Sequence, residues 1–324
     1  MRRHRTAAGI LLAVGALFTG GLFQAGAAGA APSAPSAAAH TASAAAQHKA
    51  RAFWTAERMR GATPLDLLLS RKAAEHLKSP RSNGPSTTVA PTRAALASFP
   101  QAGGPWTGGG AVVTTSGRVF FTFQGRTASC TGNAVTSQNG STVLTAGHCV
   151  KYQGSWHTNW VFVPGYDNGN APYGQWTAAT TLTTPQWEAS EDINYDVGAA
   201  VVSPLNGRTL TSVVGAQGVQ FNGGYNKPMY SFGFPAASPY DGTRLIYCSG
   251  NSSKDFLFSQ DHSLGCNMTG GSSGGPWFTG FTEASGTGLQ VSVNSFGYTF
   301  LPNRMFGPYF GDVVKALYDK AQAA

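Results

Sequence analysis

From Ala111 onward the chain is cut into short β-branched or aromatic runs, at 112–113, 118–123, 142–144, 160–163, 196–202, 211–214, 229–232, 244–247, 256–258 and 289–296. Clusters of Gly, Asn, Pro and Ser separate them, and the 42 glycines of the 324-residue chain supply many of the turns. Short strands at roughly regular spacing predict a sandwich or barrels rather than a helical or parallel α/β fold. The exception is the C-terminus, where Asp312 is placed to cap a helix over 312–322. Val313, Val314, Leu317 and Ala321 share one face of it, and Lys315 and Lys320 lie toward its end.

The first hundred residues differ in kind. Arg2, Arg3 and Arg5 precede an apolar run over 10–23 and a small-residue stretch over 25–30, the pattern of a cleavable signal peptide. The run is too short and too glycine-interrupted for a membrane span. Residues 31–48, mostly Ala, Ser and Pro, read as a linker. Residues 49–78 read as one or two short helices broken near Gly61 and Pro64, and a second linker follows over 79–110. A basic helical island between two linkers has the layout of a propeptide, so the expected plan is a signal peptide over 1–30, propeptide and linkers over 31–100, and the main domain over 101–324.

The sequence pI of 9.4 suggests an anionic partner until the charges are located. Residues 1–100 hold 12 of the 22 Lys+Arg and 3 of the 14 Asp+Glu, a balance of +9. Residues 101–324 therefore hold 10 basic and 11 acidic side chains, a balance of −1. The body carries no basic stripe for a phosphate backbone, which argues against nucleic acid as a partner. No later stretch is apolar enough to span a bilayer, so no membrane association is expected after signal cleavage.

The four cysteines, Cys130, Cys149, Cys248 and Cys266, suit disulfides in an exported chain. Their spacing favours the local pairs Cys130–Cys149 and Cys248–Cys266. A zinc site would need close Cys or His pairs such as C-x-x-C, which are absent from the sequence. No metal or other cofactor is implied.

Three histidines lie in the body: His148, His157 and His262. His148 stands in Leu144-Thr145-Ala146-Gly147-His148-Cys149, at the end of an apolar strand and beside a cysteine that can fix its backbone. His157 and His262 read as structural or exposed. Gly271-Ser272-Ser273-Gly274-Gly275 fits G-x-S-x-G, yet no histidine follows Ser273, which rules out the α/β-hydrolase order Ser, acid, His. The only aspartate before His148 is Asp66, in the expected propeptide, which rules out Asp, His, Ser. His, Asp, Ser remains, with the acid among Asp167, Asp192, Asp196, Asp241, Asp255 and Asp261. Asp196 opens a buried-looking strand and is favoured over Asp192, which sits in a polar, acidic segment.

LTAGHC, YDVGAAVV and GGSSGGP, in this order, resemble the chymotrypsin-like (trypsin-like) serine peptidase family over about residues 111–305. The resemblance implies an all-β fold: two antiparallel six-stranded β-barrels, roughly 111–205 and 206–305, with the C-terminal helix beside them and the active site in the inter-barrel cleft. It implies Ser273 as nucleophile, His148 as general base and acid, Asp196 as the residue that sets the His tautomer, and the N–H groups of Gly271 and Ser273 as the oxyanion hole. It also implies Asn267 at the base of the first substrate pocket, with Ser295, Phe296 and Gly297 as the strand that lines the pocket and meets the substrate backbone.

Where the family signature has aspartate this chain has Ser272, so activation by burying a new N-terminal ammonium is not expected. The glutamyl-endopeptidase-like branch shares that lack. Its glutamate-specific members place a histidine where this chain has Ser295. The expected activity is a secreted, monomeric serine endopeptidase acting on protein or peptide substrates. The competing readings are a catalytically silent protein-binding homologue and an esterase using the same three residues.

Overall fold

The computed structural model describes residues 35–75, 77, 84–89 and 99–324. The signal-peptide reading of 1–30 lies outside these residues, as does much of the second linker. Among the described residues no helix is long and apolar enough to cross a membrane.

Six strands make the first barrel: β1 Ser116–Phe123, β2 Arg126–Ala134, β3 Thr142–Thr145, β4 Thr158–Pro164, β5 Trp176–Thr183 and β6 Gly198–Val202. The order β5-β4-β1-β2-β3-β6 closes through an antiparallel β5–β6 pairing, for example Thr181 opposite Ala200. Alternation along these strands sends Val119, Phe121, Cys130, Val143, Phe162, Trp176 and Val201 into one core.

The second half contributes β7 Gly218–Phe221, β8 Pro228–Gly233, β9 Ile246–Asn251, β10 His262–Gly265, β11 Pro276–Thr282, β12 Thr287–Val293, β13 Phe296–Tyr298 and β14 Leu301–Gly307. They fall into two hydrogen-bonded sheets, one running β7-β12-β11-β8-β9 and the other holding β10-β14-β13. Both sheets feed one core, since Met229, Cys248, Leu264, Trp277, Val291 and Met305 pack together. The all-β, double-barrel architecture is therefore present, and the C-terminal helix Asp312–Gln322 closes onto the first barrel through Val314, Leu317, Tyr318 and Ala321.

Several local expectations are corrected. Residues 112–113 and 211–214, read as strands from their Val and Thr, lie in the one-turn helices Ala111–Thr115 and Leu210–Val214. The two are tied by the Thr114 hydroxyl donating to the Val214 carbonyl at 2.8 Å, a tertiary bond that outweighs weak local β preference. Residues 256–258 are bends. Asp312 is the first helical residue rather than the cap, which is Gly311. Its carboxylate instead accepts from the Asn222 amide at 2.7 Å.

The expected linker over 31–48 contains strand Ala38–Thr41, paired with β5, and the start of helix Ala44–Phe53. That helix is capped by Ser43, whose hydroxyl accepts from Ala46 N. Ala50, Trp54, Met59 and Ala62 pack against Phe120, Val161, Val163, Tyr166 and Phe234 of the body. The Trp54 indole donates to the Asn159 carbonyl at 2.6 Å. Residues 35–75 thus form a layer packed on the body, with Ala50, Trp54, Met59 and Ala62 sharing one apolar cluster with barrel residues.

Candidate active site

His148 sits in a one-turn 3-10 helix, Gly147–Cys149, that follows β3. Two devices fix it. The Cys130–Cys149 disulfide ties the turn to β2. Gly147 lets the turn lie against its neighbours, because a Cβ there would meet Trp187 at 2.8 Å and the Asp196 carboxylate at 2.9 Å.

Asp196 is fully buried just before β6 and accepts three hydrogen bonds. The His148 backbone N–H reaches Oδ1 at 2.7 Å, His148 Nδ1 reaches Oδ2 at 2.7 Å, and the Ser295 hydroxyl reaches Oδ2 at 2.6 Å. A buried carboxylate needs such partners, and these three hydrogen bonds supply them. It also holds the imidazole with the proton on Nδ1, leaving Nε2 as the acceptor. Nε2 is buried and has no hydrogen-bond partner among the described residues.

The turn 270–275 ahead of β11 carries Ser273. It is clamped to the first barrel by Thr131 of β2. The Thr131 N–H donates to the Ser273 carbonyl at 2.7 Å, and its hydroxyl donates to the Gly271 carbonyl at 2.9 Å. Cys149 Sγ lies 3.7 Å from the Ser273 carbonyl, so the serine turn abuts the histidine turn. Gly271 has φ +93°, a conformation that glycine adopts without strain and that suits an inward-turned N–H.

That N–H donates at 3.0 Å to the carbonyl of Leu65, and the Ser273 hydroxyl points to the same oxygen at 3.4 Å. One carbonyl oxygen thus lies against both the Gly271 N–H and the Ser273 hydroxyl.

Ser272 is accommodated without any carboxylate. Its hydroxyl donates to the Thr269 carbonyl at 2.7 Å, and its carbonyl accepts from Asn294 Nδ2 at 3.1 Å. Asn294 is a hub: Nδ2 also serves the Phe232 carbonyl at 2.9 Å, while Oδ1 accepts from Ser231 and the Trp277 indole, each at 2.7 Å. The two glycine-flanked serines are thus locked from behind by Asn294, which no sequence motif marks.

The pocket residues are distributed as follows. Asn267 Oδ1 accepts from the Tyr240 hydroxyl at 2.6 Å, and Asn267 N–H donates to the Ala102 carbonyl at 3.0 Å. Ser295 turns its side chain to Asp196 rather than into a pocket. Phe296 is buried against Phe306 at a ring separation of 5.1 Å, and Gly297 offers its N–H to the Leu67 carbonyl at 3.0 Å. Tyr298 anchors this strand by donating to Asp255 at 2.6 Å.

Other candidates have structural partners. Asp192 accepts from Asn194 N–H at 3.1 Å, capping its own turn. His157 bonds the His148 carbonyl through Nε2 at 2.8 Å, and burial pushes its pKa down to about 4. His262 is buried and stacks on Tyr309. The second disulfide, Cys248–Cys266, links β9 to the segment leading to Asn267. Cys130, His148 and Cys149 lie close enough together to suggest a metal site. Both sulfurs are bonded to each other, so neither is available as a thiolate ligand.

No family model matches the sequence. Among solved structures, the fold is similar to the protease Anisep from Arthrobacter nicotinovorans, at 46% identity and TM-score 0.62 over 66% of this chain and 98% of that one. It is equally similar to a thermostable serine protease, AL20, from an extremophilic microorganism, at 40% identity and TM-score 0.62 over 66% and 99%. A Glu endopeptidase shares the fold at 16% identity and TM-score 0.54, over 71% and 100%. A curated relative, an extracellular metalloprotease of Bacillus subtilis, is 36% identical over 85 residues, 26% of each chain. The match thus spans about a quarter of that relative's length.

Proposed function

Because the chain belongs to the chymotrypsin-like serine proteases, we propose that it is a secreted endopeptidase, made with a propeptide, that cuts peptide bonds through Ser273, His148 and Asp196. The observation that carries this reading is the Leu65 carbonyl, which accepts from the Gly271 N–H beside the Ser273 hydroxyl, next to a buried His148–Asp196 pair.

In a substrate, Ser273 Oγ attacks the carbonyl carbon while His148 Nε2 takes the hydroxyl proton. The developing oxyanion is held by the N–H groups of Gly271 and Ser273. His148 then returns the proton to the departing amine, leaving an ester on Ser273. Water, deprotonated by the same nitrogen, hydrolyses that ester and restores the serine. Asp196 keeps the imidazole in the working tautomer and stabilises its charged form throughout.

Secretion rests on the leader pattern and on two disulfides, which persist in oxidising compartments. The domain division at about residue 100 rests on the change of composition there.

A fluorophosphonate probe tests the reaction. Processed protein is expected to take one label, and Ser273→Ala none, with kcat lowered by about 10^6. Asp196→Asn should retain the label at a reduced rate, its kcat falling by about 10^4. Labelling that survives in Ser273→Ala would refute the assignment. A mixed peptide library then separates peptide from ester preference and reads the pocket at Asn267.

A further inference from the structure

The cleft is filled by residues 63–69, and the direction in which they run is informative. Thr63 and Pro64 lie parallel to Ala128 and Ser129 of β2, and the Leu65 N–H donates to the Ser129 carbonyl at 3.0 Å. After the Leu65 carbonyl at Gly271, the chain continues along β13, again in parallel, with Leu68 opposite Gly297 and Leu69 opposite Tyr298. The carbonyls of Leu67 and Leu69 accept from Gly297 N at 3.0 Å and Thr299 N at 3.1 Å. Leu67 is buried in an apolar cluster with Trp187, Ile193, Phe296, Tyr298 and Phe306.

Hydrolysis leaves the residues N-terminal to the cut bond on the serine, and the first pocket reads the side chain just before that bond. The wall of that pocket, 295–297, therefore belongs to the half of a substrate that precedes the reacting carbonyl. Here the same wall holds residues 67–69, which follow it. The residues on the leaving side of the Leu65 carbonyl are thus held where the acyl half belongs.

We propose that residues 63–69 are a peptide inhibitor built into the chain, lying in the cleft with polarity opposite to a substrate, so that they block it without being cut. The proposal rests on the reading of Ser273 as nucleophile. Its ligand class is an extended aliphatic peptide held by backbone pairing on both sides of the serine, with one leucine in the apolar pocket. Ser273 is idle in this arrangement, its hydroxyl on Leu65 and His148 Nε2 without a partner. Desolvation also pushes the Asp66 carboxyl up, with a smaller opposing pull from His148, while the residue itself stays exposed at the edge of the segment.

The full chain is treated with a fluorophosphonate and followed by intact-mass spectrometry. Uncut wild type should label slowly. Leu67→Ala should label about tenfold faster, and Leu67→Asp faster still, both before any cut, because each weakens the buried anchor. In wild type, mapping of all new termini during processing should find none at Leu65–Asp66, a result that needs no variant to fold. Equal labelling of wild type and folded variants, or a Ser273-dependent cut at Leu65–Asp66, would overturn the proposal. Labelling that ignores Ser273→Ala, or is absent even from processed chain, would instead remove the nucleophile assignment, and the inhibitor reading with it.

Discussion

His157 supports the site without exchanging protons at neutral pH. Its ring stacks on Phe121 at 4.2 Å, and its Nε2–H donates to the carbonyl of His148, holding the backbone of the turn. Burial lowers its pKa from 6.5 to about 4. The folded state therefore resists protonation that the unfolded state accepts. Stability from this residue is complete above pH 6.5 and is lost as pH falls toward about 4, at a cost of roughly 3 kcal/mol. Urea unfolding of His157→Phe across this window should show a flatter acid limb than wild type. An unchanged limb would mean that other groups dominate. At this scale the sequence was informative where chemistry restricts the choice. Histidines outside the leader are few, and chain order left one arrangement of acid, base and nucleophile. Thr131 and Asn294 were not legible as supports, because an ordinary Thr or Asn acquires its role only from partners far away in sequence, such as Gly271 and Ser272.

The elements around the site are short, and two covalent ties stiffen them. Each disulfide closes a small loop, with separations of 19 and 18 residues. The chain-entropy model gives each about 3 kcal/mol. Replacing Cys248 and Cys266 together by alanine should lower unfolding stability by about that amount. Hydrolysis at low temperature should survive, since Ser273 is clamped from Thr131 and Asn294 rather than from this disulfide. A denaturant midpoint unchanged from wild type would count against the first expectation, and loss of labelling in folded protein against the second. The cysteine pairs were readable because nearest neighbours close the cheapest loops. The one-turn helices at Ala111–Thr115 and Leu210–Val214 were not, since their Val and Thr follow strand preference until the tertiary bond between the turns is known.

Taken whole, the molecule presents two barrels with a third party between them. Composition separated residues 1–100 from the body, but it could not show that 35–75 fold onto the barrels, because their alanine-rich stretches gain structure only from surfaces supplied elsewhere. Docking of this layer is expected to respond to pH through Asp66. Its carboxyl is raised from 3.8 by burial, and the nearby His148 pulls the other way more weakly. Docking is therefore favoured fully at acid pH and weakens as pH rises through the raised value. Asp66→Asn, which carries no charge to desolvate, should label more slowly than wild type at neutral pH when both chains are uncut. A faster rate would mean that the carboxylate helps to hold the segment.

The Gly271 N–H already faces inward, with Ser272 and Asn294 bonded behind it, while the segment is still in place. On the proposed reading of a removable propeptide, maturation would have no rebuilding to do at the serine turn. Severing the chain between the segment and the body converts a tethered occupant into a free one, and its local concentration drops from the range set by the tether to that of the solution. If residues 63–69 inhibit as proposed, latency would be a matter of dilution: a crowded site of synthesis would keep even cut molecules quiet, and release into a large volume would switch them on.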